Sequence, residues 1–117
     1  VSWDSTSATW GNDVKISNTE QLALEPAPLV GPNGPNERVR VFWKGTDGNL
    51  YDTRWTGSDT GWQTVQRPKP LGSTIDSRLA PINGPVSGQM QVFWKGAAGY
   101  LVDTFWDGSN WRSAVLP

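Results

Sequence analysis

Apolar and polar residues alternate in short bursts along this chain and never settle into a 3.6-residue register. Alternation with a period of two describes a strand with one buried face. Asp13-Val14-Lys15-Ile16, Gln63-Thr64-Val65-Gln66 and Arg112-Ser113-Ala114-Val115-Leu116 read this way. Arg38-Val39-Arg40-Val41-Phe42-Trp43 is a strand with large apolar groups on both faces. Turn residues separate these segments: Gly31-Pro32-Asn33-Gly34-Pro35-Asn36, Thr46-Asp47-Gly48-Asn49, and Asn83-Gly84-Pro85-Val86-Ser87-Gly88. Asp47-Gly48 supplies the positive-φ residue that a tight hairpin needs. Two further apolar segments, residues 22–30 and 73–82, are interrupted by proline. Each predicts one short strand at an edge, end or bulge, because proline cannot donate to a ladder. The pattern is that of an all-β protein with short strands.

The pattern also repeats. Arg40-Val41-Phe42-Trp43-Lys44-Gly45 returns as Gln91-Val92-Phe93-Trp94-Lys95-Gly96, with Val41 and Val92 51 positions apart. Leu50-Tyr51-Asp52-Thr53-Arg54-Trp55 returns as Leu101-Val102-Asp103-Thr104-Phe105-Trp106. The segments from Trp55 to Trp62 and from Trp106 to Trp111 are two tryptophans joined by a polar turn, and Trp3 to Trp10 matches them. The unit is four strands in about 51 residues, a period that belongs to repeat architectures. Four antiparallel strands per unit, with recurring Trp and Gly, predict β-propeller blades. The expected organisation is a single module: a partial blade over residues 1–20, a blade over 21–70 and a blade over 71–117. A β-sandwich also has many short strands, but needs no repeat. Two and a half blades cannot close a ring, and a short open array leaves apolar faces exposed. Either several chains assemble into one ring, or the chain is part of a longer propeller. The N-terminal hairpin then caps the ring or exchanges between chains.

Composition narrows the chemistry. Histidine and cysteine are both absent, which excludes Ser-His-Asp and Cys-His catalysis, disulfides, and imidazole or thiolate metal sites. The formal net charge is −1, so nucleic acid is not an expected partner. No apolar run approaches the roughly 20 residues that span a bilayer. Asp47-Gly48-Asn49 faintly resembles a calcium loop, but its repeat is Ala97-Ala98-Gly99 and calcium needs six or more oxygens. No metal or cofactor is expected. Glycoside hydrolysis needs two carboxylates about 5–10 Å apart, and Asp52 and Asp103 would lie a blade apart. A non-enzymatic protein is the expectation.

Eight tryptophans in 117 residues point instead to binding. A sugar presents an apolar C–H face to an indole and vicinal hydroxyls to a guanidinium and a carboxylate. The ordered set Val-Phe-Trp-Lys-Gly, Asp-Gly, Leu-aromatic, Trp and Gly-Trp, followed by Leu71-Gly72-Ser73-Thr74-Ile75-Asp76-Ser77, resembles the repeat of PLL-type bacterial β-propeller lectins. The Trp hairpins are similar to those of fucose-binding propeller lectins. The resemblance implies a multivalent lectin that binds monosaccharide units of glycans, fucose or a related or methylated sugar, between blades. It implies a homo-oligomer, a trimer closing a six-bladed ring, and a secreted or cell-surface location. By the same resemblance, Arg40 and Asp52 form one polar pair facing Trp106 and Trp111. Gln91 and Asp103 form a second, facing a Trp hairpin of another blade, with Trp3 and Trp10 of a neighbouring chain as the candidate; Trp55 and Trp62 are further hairpin tryptophans that could touch ligand. Mid-strand Trp43 and Trp94 read as packing, and Lys44 and Lys95 as solvated. The competing reading is a structural or protein-interaction propeller module whose tryptophans are all core.

Overall fold

The computed structural model describes residues 22–30, 39–55, 61–86 and 88–117, together with the backbone of 3–4 and 9–10. Among these residues there are ten strands and no helix: β1 (Trp3–Asp4), β2 (Thr9–Trp10), β3 (Ala27–Val30), β4 (Val39–Lys44), β5 (Leu50–Trp55), β6 (Trp62–Arg67), β7 (Ala80–Asn83), β8 (Met90–Lys95), β9 (Leu101–Trp106) and β10 (Trp111–Val115). The all-β class follows directly. Strands β3-β4-β5-β6 make one antiparallel four-stranded sheet, β7-β8-β9-β10 make a second, and β1-β2 form a hairpin. The rest of residues 1–21, and the predicted strand at 13–16 with it, lies outside the described residues. So does the whole of the first Pro-Gly turn, at 31–36.

Each strand ends where its sequence lets it. Pro28 lies in β3 and Pro81 in β7, and both strands are sheet edges. An edge strand has one side without a ladder, where a missing N–H leaves no neighbour unpaired. The β4–β5 turn closes through Gly45 N to Asn49 O (2.9 Å) and Gly48 N to Gly45 O (2.9 Å). The β8–β9 turn closes in the same way through Gly96 N to Tyr100 O and Gly99 N to Gly96 O, each 2.9 Å. Gly48 and Gly99 sit at φ +85° and +87°, a region that costs other residues strain. Asp47 Oδ1 accepts from Asn49 N, and Oδ2 accepts from Asn49 Nδ2 and the Tyr51 hydroxyl. The acid secures the turn, and the second turn forms without one.

Register sorts the side chains onto two faces. Ala27, Phe42, Asp52 and Val65 stand opposite one another across the first sheet. Leu29, Arg40, Arg54 and Gln63 form the next row of that same front face. Val41, Thr53 and Thr64 belong to the back. The front of the first sheet packs on the back of the second. Ala27, Phe42 and Leu50 join Met90, Val92, Trp94 and Val102 in one core, with Ile75 and Leu79 from the connection between the sheets. A fully buried Phe or Leu side chain stabilises by about 1.5–3 kcal/mol, so this contact dominates the fold.

Trp43 and Trp94 are each 2 % exposed and serve as packing. The Trp43 indole donates to Thr53 Oγ1 at 2.9 Å and the Trp94 indole to Thr104 Oγ1 at 3.4 Å. The repeated Asp-Thr step therefore divides its work. Thr takes an indole proton on one face, and Asp turns to the other. Lys95 is exposed, but Lys44 corrects the expectation of a solvated pair: its Nζ donates to Ile75 O at 2.9 Å and ties the first sheet to the connection. Thr104 Oγ1 donates to Pro68 O at 2.9 Å, a second tie.

The two sheets differ in what covers them. Leu50 on the front of the first is 0 % exposed, whereas its repeat Leu101 on the front of the second is 49 % exposed. Ala80 and Ile82 are exposed, and Phe93 is half-buried, where Ala27 and Phe42 are buried. The second sheet has the same apolar face with nothing packed on it among the described residues.

Candidate functional site

Where the two sheets part at one end, they leave a cleft of about 390 Å³ lined by Arg40, Arg54, Arg67, Met90, Trp106 and Trp111. Three guanidiniums come from the first sheet. The thioether and both indoles come from the second.

Local structure places each group. Arg40 and Arg54 are direct cross-strand partners in β4 and β5, so both point to the front. Arg67 ends β6 opposite Leu50, on that same face. Across the cleft, Trp106 and Trp111 are direct partners at the tip of the β9–β10 hairpin. Asp107 holds that tip. Its Oδ1 accepts from the backbone N of Ser109 and of Asn110, each at 2.8 Å, and Oδ2 pairs with Arg112 Nε at 2.7 Å. The amides of Asn110 and Ser109 hold its carboxyl below the usual range. Gly108 at φ +101° completes the turn. Gln89 Nε2 donates to Asp107 O at 3.2 Å, which anchors the hairpin to the strand before it.

The indoles reach across. Trp111 meets Phe42 edge-on at 6.1 Å between ring centroids and Trp106 at 6.0 Å. The Arg67 guanidinium lies over the Trp111 ring at 4.3 Å, within the range of a cation–π contact. Asp52 sits beneath the arginines and is 0 % exposed. Its Oδ2 accepts from Arg40 Nη1 at 2.6 Å and from Arg67 Nη2 at 2.9 Å and Nε at 3.1 Å. Burial draws the Arg40 and Arg67 guanidiniums below their ordinary range, while the Asp52 charge opposes the change. Arg54 has no hydrogen-bond or ion-pair partner among the described residues, and Arg40 Nε–H is buried without one.

Of the residues singled out by sequence, Arg40, Trp106 and Trp111 line this one cleft. Asp52 belongs to it as the buried counter-charge of two arginines and does not reach the surface. Gln91 and Asp103 do not line this cleft. Gln91 Nε2 donates to Gly84 O at 3.2 Å, and Asp103 lies buried on the front of the second sheet with Oδ1 unpartnered. Trp55 and Trp62 pair edge-to-face at 5.6 Å at a hairpin tip of the first sheet. They occupy the back face, away from Arg40 and Arg54, and Trp55 is 41 % exposed. Trp3 and Trp10 are direct backbone partners, as are the other two pairs; their side chains lie outside the described residues.

Burial alone raises the Asp103 carboxyl. A raised folded-state value means that this group favours folding most below the unfolded value, near 3.9, and loses that contribution as pH rises through the folded value. Asp103→Asn is therefore expected to raise the thermal midpoint at pH 7, with the gain vanishing near pH 3. Midpoints of both proteins across that range test it; a loss of stability at pH 7 would contradict it.

Sequence reasoning overlooked Arg54, Arg67 and Met90. Arg54 was within reach, since a hairpin centred on Asp47-Gly48 sets it opposite Arg40. Arg67 and Met90 depend on how the sheets stack, for which the strand pattern has no signal. Comparison with family models, with characterised proteins and with solved structures yields no match to this chain.

Proposed function

We propose that this protein is a non-enzymatic lectin of β-propeller type, which binds monosaccharide units of glycans in clefts between blades. One observation carries the reading. The cleft sets two indoles on one wall against guanidinium donors on the other, the pair of surfaces a sugar requires. Its apolar C–H face packs on a rigid aromatic, and its hydroxyls accept charge-assisted hydrogen bonds from planar donors. The half-exposed Trp55 also favours this reading over a scaffold in which every tryptophan is core. Fucose or a methylated relative is the ligand that the resemblance of the repeat suggests.

The two four-stranded sheets serve as blades, and the ring is completed by further copies. The front of the second sheet carries Leu101, Phe93 and Ile82 without cover, while the same face of the first sheet is sealed by the second. The back of the first sheet is the repeat of the surface that does the sealing; Trp43 and Thr53 on it are already 2 % exposed within one chain, so a neighbouring copy would meet its exposed margin at Val39 and Trp55. Head-to-tail stacking of copies repeats the internal contact, and such heterologous contacts close into rings. Three copies give six blades, and several shallow sites on one particle gain avidity without new contacts.

Light scattering and a saccharide array test this together. The expected particle has three times the 12.8 kDa mass of one chain and is retained on immobilised glycans. A particle of that size that binds no saccharide would refute the lectin; a stable monomer would refute the ring.

A further inference from the structure

We propose, resting on the carbohydrate reading, that the sugar this cleft selects carries an anionic group, a carboxylate or a sulfate, taken by Arg54 together with Arg40. Three guanidiniums stand at the cleft and one carboxylate, Asp52, answers them. Among the described residues the wall is left with two positive charges in excess, on a chain whose formal net charge is −1. The excess has a definite place. Asp52 Oδ2 is shared by Arg40 and Arg67, so among the described residues Arg54 is the cation without a countercharge.

Its position is unfavourable without a ligand. Arg40 and Arg54 are directly opposite across β4 and β5, and like charges in such a pair destabilise a sheet. The second sheet shows what the repeat does without that cost. Gln91 stands opposite Phe105 at the matching rungs, and Leu116 takes the place of Arg67. The sheet does not need Arg40 and Arg54 side by side, since the second forms with Gln91 and Phe105 at those rungs. A planar fork that accepts a bidentate anion gives them a reason. The indoles of Trp106 and Trp111 would hold the sugar ring, and the anion would lie toward β5. The sugar suggested by resemblance is neutral, and the charge of this cleft directs the choice elsewhere. Because Gln91 and Phe105 replace the arginine pair, such a site occurs once per chain.

Matched ligands provide the test: methyl β-glucuronide against methyl β-glucoside, methyl galacturonide against methyl galactoside, and 6-sulfogalactoside as the second anion. Calorimetric titration of the native assembly at 20 mM salt is expected to favour one or more acidic members at least tenfold. That ratio should fall at 300 mM salt, as screening shortens the reach of exposed charge. The arms separate carboxylate from sulfate. Arg54→Gln should bring the acidic-to-neutral ratio close to one and flatten its salt dependence, while Arg54→Lys retains part of both; thermal melts confirm that each variant is folded. Equal or tighter binding of the neutral sugars would overturn the anionic assignment and leave the lectin standing. Failure of the folded assembly to bind any sugar would remove both.

Discussion

Replacing Asp52 with alanine is expected to cost about 3–5 kcal/mol, the scale for breaking a buried ion pair by removing one partner. Such a loss is a large share of the 5–15 kcal/mol that typically holds a domain together. The carboxylate is 0 % exposed and one of its oxygens serves two arginines at 2.6 and 2.9 Å. Its removal leaves the buried Arg40 and the largely buried Arg67 beside Arg54, three cations with no countercharge among the described residues. Asp52→Asn keeps the volume and loses the charge, so it should fall close to alanine. The chain supplies its own control. Asp103 occupies the same place in the second sheet, but Gln91 and Leu116 stand where Asp52 has its arginines. Removing the charge there is expected to stabilise. Urea melts read the difference as opposite shifts of the midpoint at constant slope. A loss below about 1 kcal/mol for Asp52→Ala would mean that the guanidiniums reach water and the cluster is not a buried network.

That contrast also shows where sequence reasoning stopped. The strands were legible because each is short, bounded by turn residues and written twice. Pro28 and Pro81 marked the edges, and Gly48 and Gly99 marked the turns. The three Trp-to-Trp hairpins could be aligned from spacing alone. What Asp52 does was not legible. Its repeat in Asp103 suggested one shared role, the carboxylate of a polar pair. In the folded chain the two carboxylates have different neighbours, because the arginines around Asp52 are not part of the repeat. Arg54 could have been paired with Arg40 from the hairpin register. Arg67 could not, since its contact with Trp111 crosses from one sheet to the next. Lys44 was misjudged for the same reason: its acceptor, the Ile75 carbonyl, comes from a segment 31 residues away. Strand order within a sheet follows from short turns. The faces that sheets present to each other depend on packing, and packing decides the site.

Trp111→Ala is expected to cost about 3 kcal/mol or more, at the lower end for a Trp-to-Ala change because the ring is half-buried. The indole leaves its own sheet to pack on Phe42 and to lie beneath Arg67. Its loss opens the contact between sheets, removes about 1 kcal/mol of cation–π attraction and strips one wall from the cleft. Trp111→Phe keeps a ring against Phe42 and should recover roughly half the stability while still weakening ligand. Trp62 is the informative comparison, for it holds the same hairpin position in the first sheet. Within one chain its face is turned away from the second sheet, so Trp62→Ala alone should cost clearly less. In a closed ring that face meets Phe93 and Leu101 of the next copy, and the cost should rise with protein concentration toward that of Trp111→Ala. It should stop short by the cation–π share, because Leu116 stands where Arg67 would be. Melts of the two variants over a hundredfold range of concentration separate these cases. A Trp62→Ala cost that is small at every concentration would show that copies do not stack through this face.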